Sequence, residues 1–123
     1  MNKTIALLLG ITPSIVFAAK SYEVDPQHYQ VMFENDCVVV VHAKYGPGES
    51  NAAPYETSGG VVVMLSDASF ERESEDGKKV SGTPKAGNAW WIPPMKVKTL
   101  TNTGDQPSEW IGVVPKGKAG CEK

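Results

Sequence analysis

Few side chains in this chain could do chemistry, and their placement narrows the choices further. The sequence has two histidines, His28 and His42, and two cysteines, Cys37 and Cys121. A catalytic transition-metal site needs at least three imidazole, thiolate or carboxylate ligands converging on one point. His28 lies in Asp25-Pro26-Gln27-His28-Tyr29, and His42 follows four consecutive valines, where it can face either way. Nothing near the cysteines completes a tetrahedral set. The Ser, Thr and Asp residues assemble no recognisable hydrolase triad, and no Gly-rich loop leads into a helix to cradle phosphate. Trp90 and Trp91 are adjacent, so on a strand they point to opposite faces. One belongs to the core; the other lines a pocket, covers a sheet face or joins a dimer surface. Trp110 is expected to pack in the last strand.

The first residues read as an address. Met1-Asn2-Lys3 is a short positive region, Thr4 to Phe17 is apolar and uncharged, and Val16-Phe17-Ala18 suits cleavage after Ala18. The apolar run is short for a bilayer and is interrupted by Pro13, which weighs against a retained anchor. The expectation is a bacterial signal peptide over 1–18 and an exported, periplasmic or secreted domain over 19–123. In an oxidising compartment an even cysteine count favours a Cys37–Cys121 disulfide; the alternative makes Cys37 a small buried hydrophobe. The chain carries 12 basic and 14 acidic side chains, and without Lys3 the balance is 11 to 14, a net −3. A mildly acidic domain with no basic stripe excludes a nucleic-acid partner, and cleavage of the leader leaves no membrane segment.

The elements that must position these residues read as strands. Turn signals recur at the beat of an all-β sandwich or barrel. Strands are expected over 29–33, 37–45, 60–65, 70–75, 78–81, 89–92, 97–101 and 109–114. The four valines suit a strand covered on both faces, and Asp76-Gly77 is the strongest hairpin turn. The Ser-, Asn- and Ala-rich stretch after Gly48 is expected to be an irregular loop through Gly59. Nine prolines and twelve glycines fit tight corners better than helices, and no helical apolar period appears after the leader.

Several short words in this order resemble small single-domain bacterial cupins. They are Asp25-Pro26-Gln27-His28-Tyr29, Phe33-Glu34-Asn35-Asp36, Tyr45-Gly46-Pro47-Gly48-Glu49 and Asn102-Thr103-Gly104-Asp105. The likeness runs from about Tyr22 to Val114. It implies an all-β, antiparallel jelly-roll (double-stranded β-helix) barrel with a pocket inside one end. Metal-dependent cupins carry a His-x-His and a Glu in their first motif and a His in their second. Here those positions fall on Pro54, Glu56, Gly60 or Val61, and Lys98, while Pro93 and Asn102 stand where framework residues do. The resemblance therefore implies a barrel without its metal ligands and with no cofactor.

Under that alignment Glu56 and Lys98 should converge at one end of the interior, where a lysine would repel a divalent cation. Such a pair would present positive charge to a small anionic or hydroxylated ligand; the alternative has both side chains in solvent at the barrel mouth. A neighbouring carboxylate raises a lysine pKa, which argues against Lys98 as a nucleophile or base. The pocket candidates are Glu56, Lys98, Trp90, Trp91 and His42. The leading expectation is a ligand-binding or structural envelope barrel, with a homodimer as the family-level expectation. The alternatives are a metal-free enzyme using Glu56 and Lys98, and a protein-interaction module using an exposed sheet face.

Overall fold

The computed structural model describes residues 19–121; the expected leader, 1–18, lies outside the described residues. One helical turn, α1 (Ser21–Val24), precedes nine strands: β1 (Tyr29–Glu34), β2 (Val38–Tyr45), β3 (Tyr55–Thr57), β4 (Gly60–Met64), β5 (Phe70–Ser74), β6 (Lys79–Gly82), β7 (Ala89–Ile92), β8 (Met95–Asn102) and β9 (Ser108–Pro115). They form a five-stranded sheet, β1-β2-β9-β4-β7, facing a four-stranded sheet, β3-β8-β5-β6. Every pairing is antiparallel. This is the all-β jelly roll anticipated from the sequence. No helix among the described residues is long and apolar enough to cross a membrane.

Strand parity decides what each residue faces. On β2, Val39, Val41, Ala43 and Tyr45 are buried, whereas Val38, Val40 and His42 are half-buried and Lys44 is exposed. The valine run is thus fully covered on its inner face only. The inner residues join Tyr29, Tyr55 and Val97 in one core cluster between the sheets. Tyr22 and Val24 of α1 pack against this cluster, so the helical turn covers part of one end.

Two corners hold the sheets together through polar groups. Buried Asp25 accepts from His28 Nδ1 at 2.8 Å and from the Ala52 amide at 3.0 Å, and His28 Nε2 lies 3.1 Å from Glu49 Oε1. The His28 ring stacks on Tyr45 with centroids 4.2 Å apart. At the other corner the buried Asn102 amide donates to the carbonyls of Tyr45, Gly46 and Gln106, and its Oδ1 accepts from the Gly104 amide. That side chain fastens the β8–β9 turn to the end of β2. At the β5–β6 hairpin Gly77 has φ +88°, a conformation other L residues rarely adopt, and Asp76 Oδ1 accepts from the Lys78 amide.

Cys37 and Cys121 form a disulfide with Cα atoms 5.3 Å apart. It ties the entry of β2 to the chain beyond β9 across 84 residues, a closure the chain-entropy model credits with about 4 kcal/mol. The reading of Cys37 as a free buried hydrophobe is set aside.

One element departs from expectation. The stretch through Gly59 is not irregular throughout: Tyr55–Thr57 forms β3, paired with β8 at Tyr55↔Val97, Glu56↔Lys96 and Thr57↔Met95. Three residues are too few to show a period, and the flanking Pro54, Ser58 and Gly59 are loop-type residues. Tertiary burial of the Tyr55 ring holds the strand in place.

Candidate functional site

The space between the sheets is not filled. A cavity of about 150 Å³ opens toward Lys20, Ser21, Glu56, Thr57 and Ser58. Its wall is mainly aliphatic and aromatic, including Val62, Met64, Phe70, Trp90, Met95 and Leu100. Each strand contributes its inward parity. On β5 the residues Phe70 and Arg72 line the cavity while Glu71 is exposed. On β7 Trp90 and Ile92 line it, and Trp91, 57 % exposed, stands on the outside.

Three tyrosines form a hydrogen-bonded cluster on the wall. Tyr29 Oη lies 2.7 Å from Tyr45 Oη and 3.0 Å from Tyr55 Oη. Burial pushes all three hydroxyls up in pKa: Tyr29 well above the usual phenol range, Tyr45 likewise, and Tyr55 to about 12. Their mutual hydrogen bonds and neighbouring charges modify the effect, with Arg72 pulling Tyr55 down and Asp25 pushing it up. All three therefore stay protonated at neutral pH. Three hydroxyl protons serve two internal hydrogen bonds, which leaves one O–H unspent. Trp110 stacks on Tyr45 with centroids 5.4 Å apart and completes the aromatic floor.

Arg72 was not singled out in the sequence. It is the chain's one arginine, and its Nε is buried with no hydrogen-bond partner. It sits in Phe70-Glu71-Arg72-Glu73-Ser74-Glu75, which reads as a solvated, charge-alternating strand. The available signal was parity: Arg72 is two residues from Phe70 and so shares its face.

The expected convergence of Glu56 and Lys98 does not occur. Lys98 falls where the β5–β8 register slips between Glu73 and Ser74, and it does not line the cavity. Its ammonium lies 3.9 Å from Glu73 Oε2 on the outer surface. Glu56 stands at the cavity rim on the outward parity of β3, opposite exposed Lys96. His42 also faces outward, with Nε2 2.6 Å from Glu109 Oε2, because the inner parity of β2 belongs to Val41 and Ala43. Alignment to motif positions could not reveal this, since a one-residue bulge exchanges the two faces of a strand.

The residues around the cavity do not suit a metal ion. They include one carboxylate, Glu56 at the rim, no His and no Cys, and they include a guanidinium. Among the described residues no group of three or more His, Cys, Asp or Glu side chains is placed to share an ion.

No family model matches the chain, and no curated protein matches it. Solved structures do match. A cupin domain from Bordetella pertussis Tohama I superposes with a TM-score of 0.65 at 20% identity, covering 72% of this chain and 92% of that one. An uncharacterized conserved protein with a double-stranded β-helix domain from Klebsiella pneumoniae subsp. pneumoniae MGH 78578 gives 0.55 at 22% identity, over 87% and 94%. An RmlC-like cupin family protein from Methanocaldococcus jannaschii gives 0.57 at 16% identity, over 71% and 77%. At these identities the likeness establishes a shared fold.

Proposed function

We propose that this chain, which has the cupin double-stranded β-helix fold, is an exported barrel that holds a small, largely apolar ligand in its interior without a metal ion. The observation that carries this reading is the lined void itself. Protein interiors pack with few voids larger than a water molecule, so an apolar space of about 150 Å³ is a poor structural filler and a natural binding volume. A cavity of that volume in another protein admits benzene, so a six-membered ring sets the scale of the ligand. Export is supported by the disulfide and by the leader-like first eighteen residues.

The test is titration of the full mature chain with a neutral aromatic probe, benzyl alcohol, followed by tryptophan fluorescence. Trp90 and Trp110 line the cavity and should report a saturable change. Ile92→Trp, which fills the same space, should abolish the change while circular dichroism stays that of the wild type. An unsaturable response, or one indifferent to Ile92→Trp, would rule the chamber out.

A second reading concerns the outer face of the larger sheet, where a second copy of the chain would dock. Phe33, Val40, Val113, Val61 and Trp91 occupy one continuous row across all five strands. Phe33 and Trp91 at its ends are more than half exposed. Apolar patches of this kind mark interaction surfaces.

A further inference from the structure

We infer that Arg72 is the anchor of the chamber and that its ligand is a small monocarboxylate with an apolar body; this rests on the interior being a binding site, as proposed above. A guanidinium cannot shed its charge at any ordinary pH. Buried charges are normally paired and hydrogen-bonded, because an unpaired one is among the costliest features a fold can carry. Arg72 makes no ion pair and no side-chain hydrogen bond among the described residues, although its Nε is fully enclosed.

The chain had carboxylates to offer and spent them elsewhere. Glu73 goes to Lys98, Glu75 to Lys96, Asp67 to Lys85 and Glu34 to Lys116, all on the outside. Glu71, next to Arg72, is exposed on the other face of β5. Buried Asp25 gives Oδ2 to His28 and the Ala52 amide at the His28 corner, while its Oδ1 is enclosed there without a hydrogen-bond partner. The one carboxylate of the cavity wall, Glu56, belongs to the outward parity of β3 at the rim. Arg72 is half-buried on the chamber wall, its Nε enclosed, and the wall supplies its guanidinium with no partner.

The geometry favours one kind of anion. A guanidinium presents a planar fork of donors that matches a carboxylate. Tyr55 lines the same chamber as Arg72 and belongs to the tyrosine cluster that retains one unspent O–H. Together they satisfy one carboxylate. They fall short of what a strongly hydrated phosphate or sulfate demands, and the wall around them is mainly apolar. The remaining volume is bounded by Val62, Met64, Phe70, Met95 and Leu100 and suits a ring or a short branched chain.

The experiment compares benzoate with benzyl alcohol, which has the same ring and no charge, by calorimetric titration of the full mature chain. Benzoate should bind wild type about tenfold or more tightly than benzyl alcohol, as charge-assisted hydrogen bonds in a dry site require. Arg72→Met keeps the apolar stem and removes the charge and the unpartnered Nε; it should fold at least as stably, lose the preference for benzoate and keep its affinity for benzyl alcohol. Tyr55→Phe should weaken benzoate several-fold and leave benzyl alcohol unchanged. Equal affinities in wild type, or a benzoate preference that survives Arg72→Met, would overturn the assignment of Arg72 while leaving the chamber standing. Binding of neither probe would overturn both. A benzoate-induced rise in melting temperature in wild type but not in Arg72→Met supplies an independent readout.

Discussion

The buried tyrosines carry the clearest consequence at the scale of single residues. Burial raises the pKa of Tyr29, Tyr45 and Tyr55 in the folded state, whereas the unfolded chain titrates near 10. A group with a raised folded pKa contributes stability that is complete below the unfolded value and is lost as pH rises through the folded one. Tyr55 defines the window, from near 10 to about 12, and that displacement corresponds to about 3 kcal/mol. Denaturant midpoints should hold steady below pH 10 and fall steeply above it. Tyrosinate absorbance from these three residues should appear together with unfolding; a gradual rise in protein that keeps its native circular dichroism would contradict the buried cluster. Residues of this class were only partly legible in sequence. The Asp25-Pro26-Gln27-His28-Tyr29 word was visible as one that resembles small bacterial cupins, but no local pattern shows that Tyr29, Tyr45 and Tyr55 share a hydroxyl cluster. Arg72 stayed hidden because two flanking glutamates make its strand read as solvated, and only the face it shares with Phe70 says otherwise.

At the scale of elements, the tight pairing of β4 with β9 rests on a missing side chain. A Cβ at Gly60 would collide with the Val113 carbonyl oxygen, which belongs to the backbone and cannot swing aside. Gly60→Ala should therefore force β4 away from β9 and cost about 1–3 kcal/mol or more, read as a lower denaturant midpoint with an unchanged slope. Gly48, with nothing near its Cβ direction, serves as a contrasting site, although its φ of +76° adds backbone strain of its own. A Gly60→Ala chain as stable as wild type would mean that the two strands are less closely apposed than the structure has them. The long strands were legible because apolar alternation and β-branched runs persist over five or more residues. β3 was not, since three residues carry no period. The Lys98 error has a related origin: the bulge opposite Glu73 and Ser74 is a property of paired strands and leaves no mark on one strand alone.

The barrel formed by the described residues presents an apolar surface inside and another outside, and the sequence could not apportion them. Trp90-Trp91 announced that one ring would go each way; which one faced inward depended on the register of β7 against β4. With that register known, the outer row from Phe33 to Trp91 crosses five strands at about 4.8 Å apiece, so it spans about 20 Å. The second row beside it, His42, Ile111, Val63 and Ala89, carries the His42–Glu109 pair at one end, so polar groups border the apolar field on one side. A face of this shape suits a second copy related by a two-fold axis, in which each substitution is felt twice. Truncating a well-packed interfacial aromatic costs about 2 kcal/mol or more, so Trp91→Glu, present on both protomers, should weaken self-association about a thousandfold. Because Trp91 is mostly exposed in the single chain, the variant should retain the wild-type fold and melting behaviour apart from any contribution of the dimer. Light scattering across a concentration series should give twice the chain mass for wild type and the single mass for Trp91→Glu or Phe33→Glu. A wild-type chain that stays at the single mass at high concentration would remove the docking role of this face, and the interior chamber would stand unaffected.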